Sequence, residues 1–261
     1  MKRIVIKVGS AILTEQNRIA KVRMEAIVEF IASLKEKYEV ILVSSGAVSA
    51  GYSELKIDKS VISNKQALAA IGQSILINSY KKKFEKFSIL PAQVLVTAVN
   101  FKEKDQCGNL KETIDTLIKH NVLPIVNEND ATSISELVVG DNDQLSAYVA
   151  NHFDADLLVI LSDIDAYYDS DPRKFKNAKV IKCVSKISED ELNQEAVAHN
   201  SFATGGIVTK LKAADYLLKR NKSMFLSSGF DLSDIKSYLL DNIHLGGTLF
   251  TNDTKLKVET C

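Results

Sequence analysis

Short aliphatic runs alternate with amphipathic stretches along most of this chain. The runs are rich in β-branched residues and span Ile4 to Val8, Val40 to Val43, Ile89 to Val96, Val122 to Val126, Leu157 to Leu161 and Ser223 to Leu226. Between them, apolar residues recur three and four positions apart, as in Val22, Ile27, Phe30, Ile31 and Leu34 and again in Leu68, Ile71, Ile75 and Leu76. This alternation predicts strands joined by crossover helices, hence an α/β fold with a mostly parallel sheet and helices on both faces.

The glycines of this chain stand mainly where predicted strands end. Gly9 follows the first run, Gly46 follows the second, and Gly205-Gly206 precedes a helical stretch that begins near Ile207. In open α/β sheets ligands bind outside the carboxyl ends of the strands, where free backbone N–H groups and helix N-termini favour anions. The glycines therefore predict a phosphate or carboxylate site.

Composition narrows the class of protein. The 261 residues are 46% hydrophobic, and with only 11 Gly and 3 Pro they contain no linker-like tract, which favours one domain with one large core. Lys plus Arg and Asp plus Glu number 33 each, so no net charge favours nucleic acid or an anionic membrane. No apolar stretch reaches the ~18 residues of a membrane span.

The cysteines and the N-terminus indicate the compartment. Cys107, Cys183 and Cys261 are odd in number and widely spaced, which suits neither a disulfide framework nor a zinc site. Lys7 interrupts the only apolar run near Met1, so no signal peptide is predicted. A reduced, cytoplasmic protein is the simplest interpretation.

Two motifs near the N-terminus could bind an anion. Lys7-Val8-Gly9-Ser10 brings an ammonium group and free backbone donors together, although a strand-end lysine is more often an ordinary surface residue. Ser44 to Gly51 has two glycines at P-loop spacing, but Tyr52-Ser53 stands where that loop requires Lys-Ser or Lys-Thr, so the P-loop interpretation fails. Its serines could still hold a small carboxylate or phosphate, or simply cap the next helix.

Three further polar segments are candidates, each with an ordinary alternative. Asn127-Glu128-Asn129-Asp130 ends a buried run and could be only a turn. Gly140-Asp141-Asn142-Asp143 opens a predicted helix, where Asn142 or Asp143 could be its N-cap. Ser162-Asp163 also ends a run and could be turn chemistry.

The last candidate segment is Thr204 to Lys210. It joins a flexible loop, a helix N-terminus and a lysine near the first turn. A cation there opposes the helix dipole, and an anionic ligand between the two would remove that conflict.

Protein-kinase catalytic signatures are absent, and the four histidines are scattered. Phosphoryl transfer onto a carboxylate needs no general base, because an acceptor with a pKa of about 4.3 is already ionised at neutral pH. Two lysines and an organising aspartate would be suitable parts for such a reaction.

Six segments resemble, in order and spacing, the glutamate 5-kinase branch of the amino-acid kinase family. They are KVGS at 7 to 10, SSGAVSAG at 44 to 51, NEND at 127 to 130, GDND at 140 to 143, SD at 162 to 163 and TGGIVTK at 204 to 210. The resemblance extends from Ile4 to the last predicted strand at 247 to 250. It implies a three-layer α/β/α sandwich around an open, mainly parallel sheet, in one domain with a glutamate lobe of about 1–150 and an ATP lobe of about 151–261.

The resemblance also implies a role for each motif residue. Lys7 and Lys210 would neutralise the transferred phosphoryl group, and Asp143 would hold both ammonium groups. The implied acceptor contacts are Ser45, Gly46, Asn127, Asp130, Asp141 and Asn142. The implied ATP contacts are Lys7, Gly9, Ser10, Ser162, Asp163, Thr204, Gly205, Gly206, Ile207, Val208, Thr209 and Lys210.

The expected reaction is ATP-dependent phosphorylation of the glutamate side chain, the first step of proline synthesis. Mg²⁺ would be held mainly by the ATP phosphates, proline would be a feedback inhibitor, and the chain would form a homo-oligomer from the catalytic domain alone, without the RNA-binding-like PUA module of many family members. Alternatives are a kinase for acetylglutamate, aspartate or a phosphate acceptor, and a non-catalytic sensor on the same fold. A dinucleotide-binding domain fits less well, because no Gly-x-Gly-x-x-Gly follows a strand.

Overall fold

A computed structural model describes residues 1–133, 142–193 and 205–254 of the protein. The first segment contains β1 (Lys2–Val8), α1 (Ser10–Leu13), β2 (Thr14–Glu15), β3 (Arg18–Ile19), α2 (Lys21–Leu34), β4 (Tyr38–Val43), α3 (Ala47–Glu54), α4 (Ile62–Phe84), β5 (Pro91–Val96), α5 (Lys104–Lys119) and β6 (Leu123–Glu128). The other two contain α6 (Asp143–His152), β7 (Leu157–Ser162), β8 (Cys183–Val184), α7 (Glu189–Leu192), α8 (Gly205–Leu218), β9 (Ser223–Ser228), α9 (Ser233–Lys236) and β10 (Thr248–Phe250).

Within these segments the central sheet has eight strands in the order β5, β6, β4, β1, β7, β9, β10, β8. Neighbouring strands are parallel from β5 to β9, and β10 is antiparallel to β9. The six strands predicted from the sequence are present, each within two residues of its predicted ends. The prediction of an α/β fold with a mostly parallel sheet is therefore confirmed.

Alternate side chains of the strands point into two cores on opposite faces of the sheet. Val5 of β1 packs in one core with α5, α6 and α8, whereas Ile4 and Ile6 pack in the other with α2, α4 and α9. Because successive strand side chains face opposite ways, a strand covered on both faces is apolar throughout, as β1 is from Ile4 to Ile6. The predicted three-layer sandwich is confirmed.

Helices α3 and α4 approach each other so closely that glycine is required at their contact. A Cβ atom on Gly72 would lie 1.7 Å from the carbonyl oxygen of Ala47, and one on Gly51 would lie 1.9 Å from that of Leu68. Gly51 belongs to the segment from Ser44 to Gly51 that the sequence analysis considered as an anion site. In the structure it serves the packing of two helices.

We expect Gly72→Ala to lower the free energy of unfolding by about 1–3 kcal/mol, because the backbone of α3 must move to admit the methyl group. Chemical denaturation of the purified protein measures this. The control is Gly108→Ala, since a Cβ atom at exposed Gly108 of α5 meets nothing within 4 Å. That variant should gain stability by up to about 1 kcal/mol, and equal losses in both variants would contradict the packing argument.

Two other observations concern membrane spans and the cysteines. Helices in the described segments are all too short or too polar to cross a bilayer. Cys107 is a free thiol.

Candidate active site

The candidate site lies at the carboxyl ends of the central parallel strands. These strands are neighbours in the sheet, so the residues that end them meet at one edge although they are far apart in sequence. Lys7 is near the end of β1, Ser44 and Ser45 follow β4, Asn127 is near the end of β6, and Ser162 ends β7.

Three charged side chains meet at the centre of this edge. The Nζ atom of Lys7 lies 2.6 Å from Oδ1 of Asp143, and the Nζ atom of Lys210 lies 3.0 Å from Oδ2 of the same carboxylate. All three residues are at most 3% exposed. Two ammonium groups held on one buried carboxylate suit the binding and neutralisation of phosphate oxygens.

Asp143 is directed to this cluster by the start of α6. It is the first residue of the helix, Asn142 is at the N-cap position, and no side-chain cap bond is formed. The alternative in which either residue merely caps the helix is therefore wrong for the observed geometry. Thr209 adds a third donor to the carboxylate, with its Oγ1 at 2.9 Å from Oδ2 of Asp143.

The beginning of α8 supplies Lys210. Its ammonium group also donates to the carbonyl oxygen of Gly206 at 3.0 Å, one turn earlier in the helix. The lysine therefore folds back toward the helix N-terminus, where the dipole favours anions. A buried cation is tolerated there because Asp143 and the carbonyl group stabilise it.

Asn142 belongs to a chain of hydrogen-bonded side-chain amides. Its Nδ2 atom lies 2.7 Å from the carbonyl oxygen of Ser44, 3.3 Å from Oγ of Ser45 and 2.7 Å from Oδ1 of Asn127. Asn127 in turn donates from Nδ2 to Oε1 of Gln73 on α4, at 2.8 Å. The Oδ1 atom of Asn142 is buried and has no hydrogen-bond partner in the part of the chain that the structure describes.

The two serines after β4 have different surroundings. The hydroxyl of Ser44 is buried and lies 3.1 Å from the hydroxyl of Tyr80, so it serves the core. Ser45 lies beside Asn142 instead. Gly46 has a φ of 94°, a left-handed conformation that glycine adopts without strain, and it turns the chain from β4 into α3.

A cavity of about 350 Å³ opens between α4, β5 and the turn after β6. Gln73, Gln93, Glu128 and Asp130 are among its lining residues. Asp130 is 5% exposed, and its Oδ1 atom has no partner among the described residues. Burial, together with the charge of Glu128, raises the pKa of Asp130 to about 7. A ligand ammonium group would relieve both effects.

A second cavity, of about 500 Å³, lies between the loop after β7 and the start of α8. Asp163, Gly206 and Ile207 line it, and Ala166 and Tyr168 add apolar surface. Ser162 stabilises the loop, because its hydroxyl donates to Oδ1 of Asp163 at 2.9 Å and accepts from the N–H of Ile164 at 3.2 Å. The cavity shares Gly206 with the charged cluster, so a ligand here could extend toward the two lysines.

Other predicted residues lie less directly at the site. The N–H of Gly9 is donated to the carbonyl oxygen of Leu161 at 2.9 Å, so it is not the free donor that the first motif suggested. Ser10 is exposed at the start of α1, and Val208 points into the core. Asp141 and Thr204 lie outside the described residues.

Gln73 was not predicted as a site residue. It belongs to a buried stripe of α4 with Ala69, Leu76 and Tyr80, at spacings of four, three and four. A glutamine on an otherwise apolar stripe of a helix is the signal that could have found Gln73, because a buried amide requires a hydrogen-bond partner.

With this fold and this arrangement, the chain belongs to the amino acid kinase family, whose model matches residues 2–227. It is 52% identical over 255 residues to a glutamate 5-kinase of Wolinella succinogenes, with 96% of this chain and 98% of the relative covered. It is 54% identical over 250 residues to a glutamate 5-kinase of Leishmania donovani, with coverage of 96% and 95%. A crystal structure of an isopentenyl phosphate kinase substrate complex shares the fold, with a TM-score of 0.62, 14% identity and coverage of 95% of this chain and 99% of that one.

Proposed function

We propose that the chain is an ATP-dependent kinase that phosphorylates the side-chain carboxylate of L-glutamate, giving L-glutamyl 5-phosphate for proline biosynthesis. The observation that supports this most directly is the buried cluster of Lys7, Asp143 and Lys210. The similarity to glutamate 5-kinases along nearly the whole chain supports the choice of acceptor.

In this mechanism the two lysines face the phosphoryl group as it moves. Negative charge on its oxygens and on the leaving phosphate grows toward the transition state, so fixed ammonium groups stabilise that state more than the ground state. Asp143 fixes both lysines and does not take a proton from the acceptor. Mg²⁺, which the ATP phosphates would hold, would supply further charge neutralisation. The cavity beside Asp163 and Gly206 would hold the nucleotide, with Ser10 and the 204 to 210 segment close to its phosphates.

The acceptor would lie between the amide chain and the charged cluster. Ser45, Gly46, Asn127 and Asn142 surround it, Asp130 pairs with its ammonium group, and Asp141 supports the site.

The choice of acceptor is tested by an assay that traps the acyl phosphate product as a hydroxamate. The reaction is run with ATP and Mg²⁺ on glutamate, acetylglutamate and aspartate in turn. Glutamate should be strongly preferred, because a carboxylate built to pair an ammonium group rejects its acetylated form. Equal turnover of acetylglutamate would refute the proposal.

The raised pKa of Asp130 predicts a pH dependence of glutamate binding. Below about 7 the free carboxyl is mostly protonated and cannot pair with an ammonium group; above it the carboxylate is available. We expect the KM for glutamate to be about tenfold higher at pH 6 than at pH 8, as a single titration near 7 requires. Initial rates against glutamate measure this, and Asp130→Asn should have a raised KM that no longer changes with pH. A slope that persists in Asp130→Asn would assign the titration elsewhere.

We also propose that proline inhibits the enzyme by competing at the glutamate site. In that case proline should raise the apparent KM for glutamate and leave the rate at saturating glutamate unchanged. The absence of inhibition at low glutamate would contradict it. A single domain with an acceptor lobe and a nucleotide lobe, assembly as a homo-oligomer and a cytoplasmic location complete the proposal.

A further inference from the structure

We propose that Gln73 is a positioning residue for the acceptor, acting through Asn127 to hold the side-chain oxygen of Asn142 toward the ligand. This inference rests on the proposed function, because it concerns how the amino acid is bound. The three residues come from α4, the end of β6 and the start of α6. They form one hydrogen-bonded chain across the acceptor side of the site.

Backbone groups fix which end of each amide faces which neighbour. The N–H of Glu128 can only donate, and it lies 2.9 Å from the side chain of Asn127, so the atom it meets is the oxygen. The carbonyl of Ser44 can only accept, and it lies 2.7 Å from the side chain of Asn142, so the atom it meets is the nitrogen. Flipping the side-chain amide of either asparagine would place two donors or two acceptors against each other.

Gln73 completes this arrangement from α4. Because the side-chain oxygen of Asn127 faces the N–H of Glu128, the other end of the Asn127 amide is Nδ2. This group donates to Oε1 of Gln73 at 2.8 Å. Asn127 is fully buried and Gln73 is 9% exposed. Loss of the acceptor on Gln73 would leave a buried N–H group without its partner, and Asn127 would then be less firmly held against Asn142.

This arrangement determines the direction of the side-chain oxygen of Asn142. Because the nitrogen faces Ser44, Ser45 and Asn127, the oxygen is directed away from all three. It is buried and lacks a partner within the described segments, so a ligand donor is what would satisfy it. The ammonium group of a free amino acid is such a donor, and Asp130, with its own unpartnered oxygen, would offer it a second acceptor.

The test compares two glutamines that each accept a hydrogen bond from the Nδ2 group of an asparagine. Gln73→Met removes the acceptor while nearly keeping the volume, and Gln106→Met makes the same change on α5, where Gln106 accepts from Asn100 at 2.7 Å outside the candidate site. We expect Gln73→Met to raise the KM for glutamate about tenfold, the scale of one buried hydrogen bond, with turnover and the KM for ATP within about twofold of normal. Gln106→Met should leave all three unchanged. Gln73→Glu keeps an acceptor and should restore most of the affinity.

A double variant separates positioning from direct contact. If Gln73 acts through Asn127, then Gln73→Met/Asn127→Ala should have the same KM for glutamate as Asn127→Ala alone. Multiplied effects would mean that Gln73 touches the acceptor itself and would overturn the relay. The relay would also be overturned if Gln73→Met raised the KM for glutamate and the KM for ATP equally and lowered thermal stability, since that pattern indicates loosened packing of α4.

Asn142→Ala distinguishes this inference from the function on which it rests. If Asn142→Ala raises the KM for glutamate while Gln73→Met does not, the relay is wrong and the acceptor contact stands. If neither variant changes the KM for glutamate, both the relay and the Asn142 contact are refuted, while the hydroxamate assay still decides the proposed function.

Discussion

The Lys210→Ala variant is expected to turn over glutamate about 10²- to 10³-fold more slowly than the wild type, the usual scale for one lost electrostatic donor. The ammonium group is 3.0 Å from Asp143 and is held by the carbonyl of Gly206, so its position is fixed before the nucleotide arrives. A preorganised charge stabilises the transition state without reorganisation during the reaction. Lys7→Ala should have an effect of the same order.

The KM for glutamate should change little in both lysine variants, because other side chains bind the acceptor in the proposed site. Steady-state rates at saturating ATP measure this. Lys219→Ala is the control: this lysine directly follows the C-terminal end of α8, pairs with Asp215, and its side chain is 67% exposed. It should keep near-normal turnover, since exposed ion pairs contribute little. A Lys210→Ala enzyme with wild-type turnover would remove the central support for the mechanism.

The sequence predicted the sheet well because buried parallel strands have a plain signal. A strand with helices on both faces is apolar throughout, so runs such as Val40 to Val43 indicated strands with ends accurate to two residues. The two-residue strands β2, β3 and β8 are too short for any periodicity. Helix α3 has no clear apolar periodicity, because its residues include two serines and Gly51.

The charged centre could be predicted because its members lie in motifs that recur in the family. Lys7 and Asp143 are 136 residues apart, and no local pattern indicates that they touch. Their contact follows from the positions of β1 and α6 at one edge of the sheet. Gln73 had no motif, and its role depends on a tertiary contact with Asn127 that periodicity cannot reveal. Ser44 shows the opposite error: its motif suggested a ligand contact, but its hydroxyl lies against Tyr80 in the core.

Asp143→Asn is expected to lose at least about 10²-fold in turnover, because an amide cannot hold two ammonium groups by charge. Asp143 is fully buried between Lys7 and Lys210, so the substitution also leaves buried cations uncompensated and should lower the free energy of unfolding by roughly 3–5 kcal/mol. Turnover and chemical denaturation are measured on the same preparation, with circular dichroism to confirm that the variant is folded at the assay temperature.

A double variant separates catalysis from stability at this residue. Lys7→Met/Asp143→Asn removes one of the uncompensated cations and replaces it with an apolar side chain of similar length, so it should recover part of the lost stability. Turnover should fall further, because a cation that acts on the phosphoryl group is also gone. If Asp143 served stability alone, the double variant would turn over no more slowly than Lys7→Met alone. That result, or an Asp143→Asn enzyme with near-normal turnover, would show that the carboxylate does not organise the lysines for phosphoryl transfer.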